Sequence, residues 1–193
     1  MITDCTAIIM AGGDSRRMGT DKANVALGEK TLLQSVIATM QQLFPQVIVS
    51  VRQPRAGIDW PQVCDEQPDG GPLAGLVASL GQITTPWAFM VACDMPFVVP
   101  EVVELLAGYR SRYQAVVPVV HGHPQPLAAF YAASCLAPLR ASLVAQQNSL
   151  RGVLKQLDVR YVDEAELLKA DPQLRSFFDL DTPQDVAQAK NQV

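Results

Sequence analysis

The residues best suited to chemistry open the chain: Met10-Ala11-Gly12-Gly13-Asp14-Ser15-Arg16-Arg17-Met18-Gly19-Thr20-Asp21-Lys22. Adjacent glycines let the backbone turn with positive φ and approach a ligand closely. Successive backbone N–H groups in such a turn form a nest for anions. Arg16, Arg17 and Lys22 place three cations within seven residues. Arginine grips phosphate as a planar fork and lysine as a mobile point charge. A solvated Gly/Arg turn is the bland reading, but the whole pattern, set after an apolar strand run, predicts a polyphosphate loop. It is neither G-x-x-x-x-G-K-[ST], since no Gly-Lys-Ser/Thr occurs, nor G-x-G-x-x-G, since its two glycines are adjacent. Arg16 reads as a solvated cation, and Asp14 and Asp21 as charge-balancing or turn-capping acids.

A second candidate is Asp94, which follows the apolar run WAFMVA and precedes Met95-Pro96. A strand end would pin it, and Pro96 would stiffen its turn. One carboxylate with phosphate oxygens and waters is the usual way to hold Mg²⁺; a turn aspartate or helix cap is the other reading. Asp179 and Asp181, two apart, share a face if extended. Asp181 could approach a metal as a second carboxylate or cap the helix near Thr182. His121-Gly122-His123 has no further Cys or His nearby, so it reads as a surface loop rather than a metal site.

The elements that must position these residues follow from the apolar pattern. Of 193 residues, 49% are hydrophobic and 18% charged, a globular balance that excludes disorder. The net charge of −4 makes the chain a poor general binder of nucleic acid or anionic membrane, so any anion site must be local. Strands are predicted at Thr6–Met10, Val47–Val51, Trp87–Cys93, Ala115–Val120 and Val159–Val162, with Pro126–Tyr131 as an edge strand because of its proline. Helices are predicted at Thr31–Phe44, opened by a Thr31/Gln34 capping box, and at Pro72–Leu80, Pro100–Tyr109, Ser134–Gln147, Ser149–Leu157 and Thr182–Lys190. Strands alternating with helices argue an α/β protein with a mostly parallel sheet, whose ligands bind beyond the carboxyl ends of the strands. Cys5, Cys64, Cys93 and Cys135 are far apart, sit in or beside apolar runs, and are expected as buried reduced thiols. The first ten residues carry Asp4 and no basic residue, unlike a signal peptide, and no apolar run reaches a membrane span. A cytoplasmic protein is expected.

Three motifs carry a family resemblance. MAGGDSRRMGTDKA resembles the nucleotidyltransferase signature L-A-G-G-x-S-x-R-M-G-x-D-K, and GPLAG at Gly71–Gly75 and CDMP at Cys93–Pro96 follow in the right order. Together they are similar to the molybdenum cofactor guanylyltransferases, over roughly residues 6–131, with a weaker tail at DLDTPQD. The resemblance implies a single domain over 1–193, a Rossmann-like, glycosyltransferase-A-like sheet flanked by helices. Its nucleotide-binding part would span about 1–110 and its acceptor part about 111–193. It implies transfer of GMP from GTP to molybdopterin with release of pyrophosphate, with Mg²⁺ as cofactor. Transient contact with a molybdoenzyme or chaperone would follow.

Carried onto this chain, the resemblance assigns nucleotide binding to Met10, Ala11, Gly12 and Gly13, Met10 standing where the family usually has Leu. Arg17 and Lys22 would hold the phosphates, and Asp94 the magnesium, making these three the catalytic set. Asp65 would contact a ribose hydroxyl or the guanine edge, although a plain loop acid is its other reading. Gly71, Pro72 and Leu73 would line the base side, where GPLAG also reads as a tightly packed helix start. Ser50 stands where relatives often carry Asn, which implies an altered contact near sugar or base. The loop His121–Leu127 would lie where the pterin-bearing substrate docks, and Arg151 and Lys155 could meet its phosphate or form a solvated helix face. A relative using CTP or a sugar phosphate, and a non-catalytic nucleotide carrier, are the alternatives.

Overall fold

The computed structural model describes residues 1–13, 21–65, 67 and 70–190. Strand β1 (Cys5–Met10) is followed by a 3-10 turn at Lys22–Asn24 and a short hairpin, β2 (Ala26–Leu27) and β3 (Lys30–Thr31). Next come helix α1 (Leu32–Leu43), β4 (Gln46–Val51), β5 (Gln62–Cys64), α2 (Gly71–Leu80), β6 (Trp87–Ala92) and α3 (Pro100–Ala107). The second half adds β7 (Ala115–Val120), β8 (His123–Pro124), β9 (Ala128–Ala132), α4 (Leu136–Val144), α5 (Leu150–Val153), β10 (Val159–Val162), α6 (Glu164–Leu167) and α7 (Pro183–Lys190).

Helix α1 shows how directly the sequence specifies these elements. Thr31 accepts a hydrogen bond from the Gln34 N–H while the Gln34 side chain accepts one from the Thr31 N–H, completing the expected capping box. Leu32, Leu33, Val36, Ile37, Met40 and Leu43 recur at helical spacing, and all are buried. Truncating one of them to Ala would cost about 2–5 kcal/mol. At α7, Asp185 accepts from the Thr182 N–H and Thr182 Oγ1 accepts from the Asp185 N–H, again the expected pair.

The main sheet runs β10-β7-β9-β6-β1-β4-β5, with β8 beside β7. β1 is central and pairs in parallel with β4 and β6. Alternation along β1 sends Ala7 and Ile9 to one face and Ile8 to the other, so a core forms on each side. Phe89 from β6 stacks at 5.7 Å on Phe44, which follows α1, and tilts at 4.8 Å against Phe130 from β9. Opposite them, Ile8, Met90 and Tyr131 pack with Leu73 and Leu76 of α2.

The expected edge strand is corrected by the structure. β9 is central, antiparallel to both β6 and β7, and buried along its whole length. Its proline objection disappears because the strand begins after Pro126, so no ladder bond is lost. The two long helices expected after it are also corrected. The first contracts to a 3-10 turn at Ala133–Cys135 plus α4, and the second to α5 plus a 3-10 turn at Leu154–Gln156.

The four thiols are free. Burial pushes Cys93 and Cys135 up to about 12 and Cys5 higher still, so these three stay neutral. Among the described residues, no helix is long and apolar enough to cross a membrane.

Candidate nucleotide site

Sheet register builds the site. Met10 aligns with Ser50 of β4 and with Ala92 of β6, and Val51 aligns with Cys64 of β5. The chain therefore leaves these four strands at one level of the sheet, carrying Ala11–Gly13, Arg52, Asp65 and Asp94 into one cleft. Lys22, Gly71 and Pro72 close its sides, and Leu127, just before β9, lines it from the second half of the chain. Of the expected nucleotide residues, Met10, Ala11, Gly12, Gly13, Lys22, Ser50, Asp65, Gly71, Pro72 and Asp94 all line this cleft. Arg17 lies outside the described residues, as does Arg16. Leu73 is the exception: it is fully buried in the core behind the cleft rather than lining it, because its position on α2 points it at the sheet.

The glycines of the cleft have separate reasons. A Cβ at Gly12 would lie 3.2 Å from the Arg52 backbone nitrogen, so the loop passes tightly over the end of β4. Gly71 has φ +57°, a left-handed turn that opens α2 and that side chains disfavour. A Cβ at Gly75 would fall 2.5 Å from the Met10 Cε and 2.6 Å from the Ser50 Oγ. That close packing seats Met10 and Ser50 against α2 at the cleft floor.

The charges converge on Lys22. Its Nζ donates to Asp94 Oδ2 at 2.7 Å and also bonds Asp181 Oδ1, across 72 and 159 residues of sequence. Burial opposes the ammonium charge, but hydrogen bonds to Asp181 and then Asp94 outweigh it and raise the Lys22 pKa. Asp181, expected as either a second carboxylate or a cap, is thus beside Asp94; the capping of α7 falls to the Thr182/Asp185 pair instead. Partial burial, then the charges of Asp94 and Asp181, push Asp179 up to about 6 against the pull of Lys22.

Asp94 and Asp181 sharing one cation is a hard-oxygen donor pair of the kind that suits a divalent metal. Among the described residues no group of three or more His, Cys, Asp or Glu is placed to hold one. Two carboxylates completed by phosphate oxygens and water is the usual Mg²⁺ arrangement, so the donor set fits that ion.

Asp65 has an orphan atom. Its Oδ1 is shut off from solvent and, among the described residues, has no hydrogen-bond partner. Burial raises its pKa, while Arg52 lowers it. An unsatisfied buried acceptor facing a cleft is suited to receive a donor from a ligand.

Sequence reasoning missed two arginines of the loop between β4 and β5. Arg52 lines the cleft, and Arg55 donates to the Ala11 carbonyl at 3.0 Å and pairs with Asp21. The available signal was the pair itself, Arg52-Gln53-Pro54-Arg55, a second cation cluster directly after a buried strand in an acidic chain. Beside the cleft, Pro72, Met95, Gln125, Pro126, Leu127, Ser149, Arg151 and Asp179 line a second cavity. Arg151 and the Gln125–Leu127 end of the expected docking loop therefore meet there. His121 and His123 do not; His121 is exposed and its N–H donates to Glu164.

Comparison with known proteins gives the same picture. The MobA-like NTP transferase domain family matches residues 7–161. A Chloroflexus aggregans protein named "Probable molybdenum cofactor guanylyltransferase" is 39% identical over 191 residues, covering 94% of this chain and 91% of its own. The crystal structure of molybdopterin-guanine dinucleotide biosynthesis protein A from Archaeoglobus fulgidus superposes with a TM-score of 0.86 at 29% identity, covering 97% of each chain. The 2-C-methyl-D-erythritol 4-phosphate cytidylyltransferase of Thermus thermophilus shares the fold, with a TM-score of 0.67 at 19% identity and 97% coverage of each chain.

Proposed function

The chain belongs to the MobA-like NTP transferase domain family, and from that premise we propose that it transfers GMP from GTP to molybdopterin, forming molybdopterin guanine dinucleotide. The observation that carries this reading is the cleft itself, where cations for phosphate, paired carboxylates and the orphan oxygen of Asp65 meet at the strand ends. A phosphate oxygen of molybdopterin attacks the α-phosphorus of GTP, the bond between that phosphorus and the bridging oxygen breaks, and pyrophosphate leaves. The attacking group is already an anion, so the protein's task is to bring anions together and neutralise charge.

In this reading the Gly12–Gly13 segment, which follows β1 without the left-handed φ expected of its glycines, meets the phosphates through its N–H groups. Lys22 leaves the carboxylates and accompanies the phosphates to the leaving pyrophosphate, a role that Arg17 shares. Asp65 accepts a hydrogen bond from the guanine edge or a ribose hydroxyl, and Ser50 and Met10 form the floor under the nucleoside. Gly71 and Pro72 border the base side, and Leu73 holds their helix to the sheet. Asp94 and Asp181 would hold Mg²⁺, which when bound neutralises phosphate charge and polarises the phosphoryl oxygens.

Residues up to about 110 form the nucleotide part and residues from about 111 the acceptor part, with the second cavity and Arg151 receiving the pterin substrate. The reaction takes place in the cytoplasm, and the product passes to a molybdoenzyme or chaperone by transient contact.

Thermal unfolding with GTP, CTP, ATP and UTP, each with and without Mg²⁺, tests the reading. A ligand at a hundred times its dissociation constant adds about 2.7 kcal/mol, a readable shift. The expected result is stabilisation by GTP above the other three, changed in size by Mg²⁺, followed by pyrophosphate release with molybdopterin. A preference for CTP would overturn the base assignment. No response to any nucleotide would overturn the site.

A further inference from the structure

We propose that Arg55 is a positioning residue that clips both ends of the phosphate loop and thereby sets Lys22 over the carboxylate pair. The inference rests on the nucleotidyl-transfer reading and adds to it a residue outside the three motifs.

The chain of contacts is continuous. At one end of the loop, Arg55 Nη1 donates to the Ala11 carbonyl at 3.0 Å, just before Gly12-Gly13. At the other end, Arg55 Nη2 pairs with Asp21 Oδ2. The other oxygen of that carboxylate, Oδ1, accepts the Ala23 N–H at 3.1 Å and so caps the 3-10 turn that carries Lys22. Lys22 then reaches Asp94 and Asp181. One guanidinium thus fixes where the glycine segment begins and where the lysine turn starts.

Arg55 is itself held in place. Its backbone N–H donates to Gln62 Oε1 at 2.9 Å, and its carbonyl accepts from Gln62 Nε2 at 2.9 Å. Gln62 belongs to β5, so the clip is anchored to the sheet, and the same Nε2 also reaches the Ile58 carbonyl at 3.2 Å. A planar fork is required because two acceptors in different directions are served at once; a lysine ammonium on a flexible stem cannot hold both in one geometry. Catalysis by positioning is sensitive to such supports, because small displacements of a phosphate-binding group cost rate steeply.

The test is the affinity of the full chain for GTP and for GMP, measured by calorimetry for wild type, Arg55→Met, Arg55→Lys, Gln62→Leu and Arg55→Met/Asp21→Asn. Arg55 acts through the loop that holds the outer phosphates, so its effect must grow with phosphate number. Arg55→Met is expected to weaken GTP about tenfold, the scale of one charge-assisted hydrogen bond, and GMP less than about twofold. Arg55→Lys recovers only part of the loss. Gln62→Leu gives a smaller loss of the same kind. The double variant is no worse than Arg55→Met alone, because the single variant has already lost the Asp21 contact. Equal weakening of GTP and GMP, or unchanged affinities with only a lower melting temperature, would overturn the proposal. Should the wild type prefer another nucleoside triphosphate, only the guanine reading fails, and the same triphosphate-to-monophosphate comparison then judges Arg55. A wild type that binds no nucleotide overturns both.

Discussion

Two charged clusters lie on opposite sides of the sheet's centre, and they are built differently. At the β10 edge of the sheet, the Tyr109 hydroxyl donates to Glu166 at 2.5 Å and Arg160 pairs with Glu166 at 2.6 Å. The Arg160 guanidinium also lies 4.9 Å from the centre of the Tyr109 ring. One cation, one carboxylate and one phenol satisfy each other and tie the end of α3 to β10 and α6. In the cleft, by contrast, Lys22 bonds both Asp94 and Asp181, the charges of those two carboxylates raise the pKa of Asp179 beside them, and among the described residues Asp65 Oδ1 has no donor. The first cluster is closed and needs nothing more. The second concentrates like charge that a bound cation or a ligand donor would relieve, and strong mutual perturbation of that kind marks functional sites.

The contrast breaks most sharply at Asp94. Asp94→Asn is expected to lower pyrophosphate release by about 100-fold or more, the scale of losing a group that stabilises transition-state charge. Its melting temperature should stay level or rise, since one of three crowded carboxylates is gone. A variant that retains full turnover would place the metal-holding role elsewhere. The next effect belongs to Asp65. Asp65→Asn keeps the shape but replaces one acceptor oxygen with a donor. It should cost about 1–3 kcal/mol of GTP affinity, because a ligand donor then meets a donor. Unchanged GTP affinity would show that the orphan oxygen receives nothing from the nucleotide.

The closed cluster answers with stability instead. Glu166→Gln should lower unfolding free energy by about 1 kcal/mol and leave turnover within about twofold. Chemical denaturation checks the first and the coupled assay the second. A loss of activity at unchanged stability would make the two clusters alike after all.

Much of this contrast was legible in the sequence, and the reason is local. Gly12-Gly13 and Asp94 stand directly after apolar strand runs, which are readable, whereas Lys22 and GPLAG are picked out by the motif resemblance; the structure brings all of them to one cleft. The Thr31/Gln34 capping box was equally plain, since all its partners lie within one turn. What was hidden is long-range. The pairing of Lys22 with Asp181 spans 159 residues, and nothing at either position marks the other. Arg55 is an ordinary surface type whose importance comes only from reaching back to Ala11 across 44 residues. Leu73 differs for the opposite reason: its motif is conspicuous, but helix geometry points that side chain into the core rather than the cleft. Pro126 likewise suggested an edge strand, because sequence pattern does not show that the strand starts two residues later.

The smallest expected effect tests whether the like-charge crowding in the cleft is energetic. Asp179 has its pKa raised from 3.8 to about 6 by partial burial and by Asp94 and Asp181, with Lys22 opposing. The folded chain therefore holds that proton more tightly than the unfolded chain between about pH 4 and pH 6. Its contribution favours folding below that window and is lost as pH rises through it. Asn at this position carries no charge at any pH. In metal-free protein, Asp179→Asn should thus raise stability at about pH 7.5, by roughly 0.5 kcal/mol given that the residue keeps contact with solvent, and the gain should vanish near pH 4. Denaturation midpoints at the two pH values read this directly. A gain equal at both would assign the effect to packing; a gain confined to the higher pH ties it to the charges that surround Lys22.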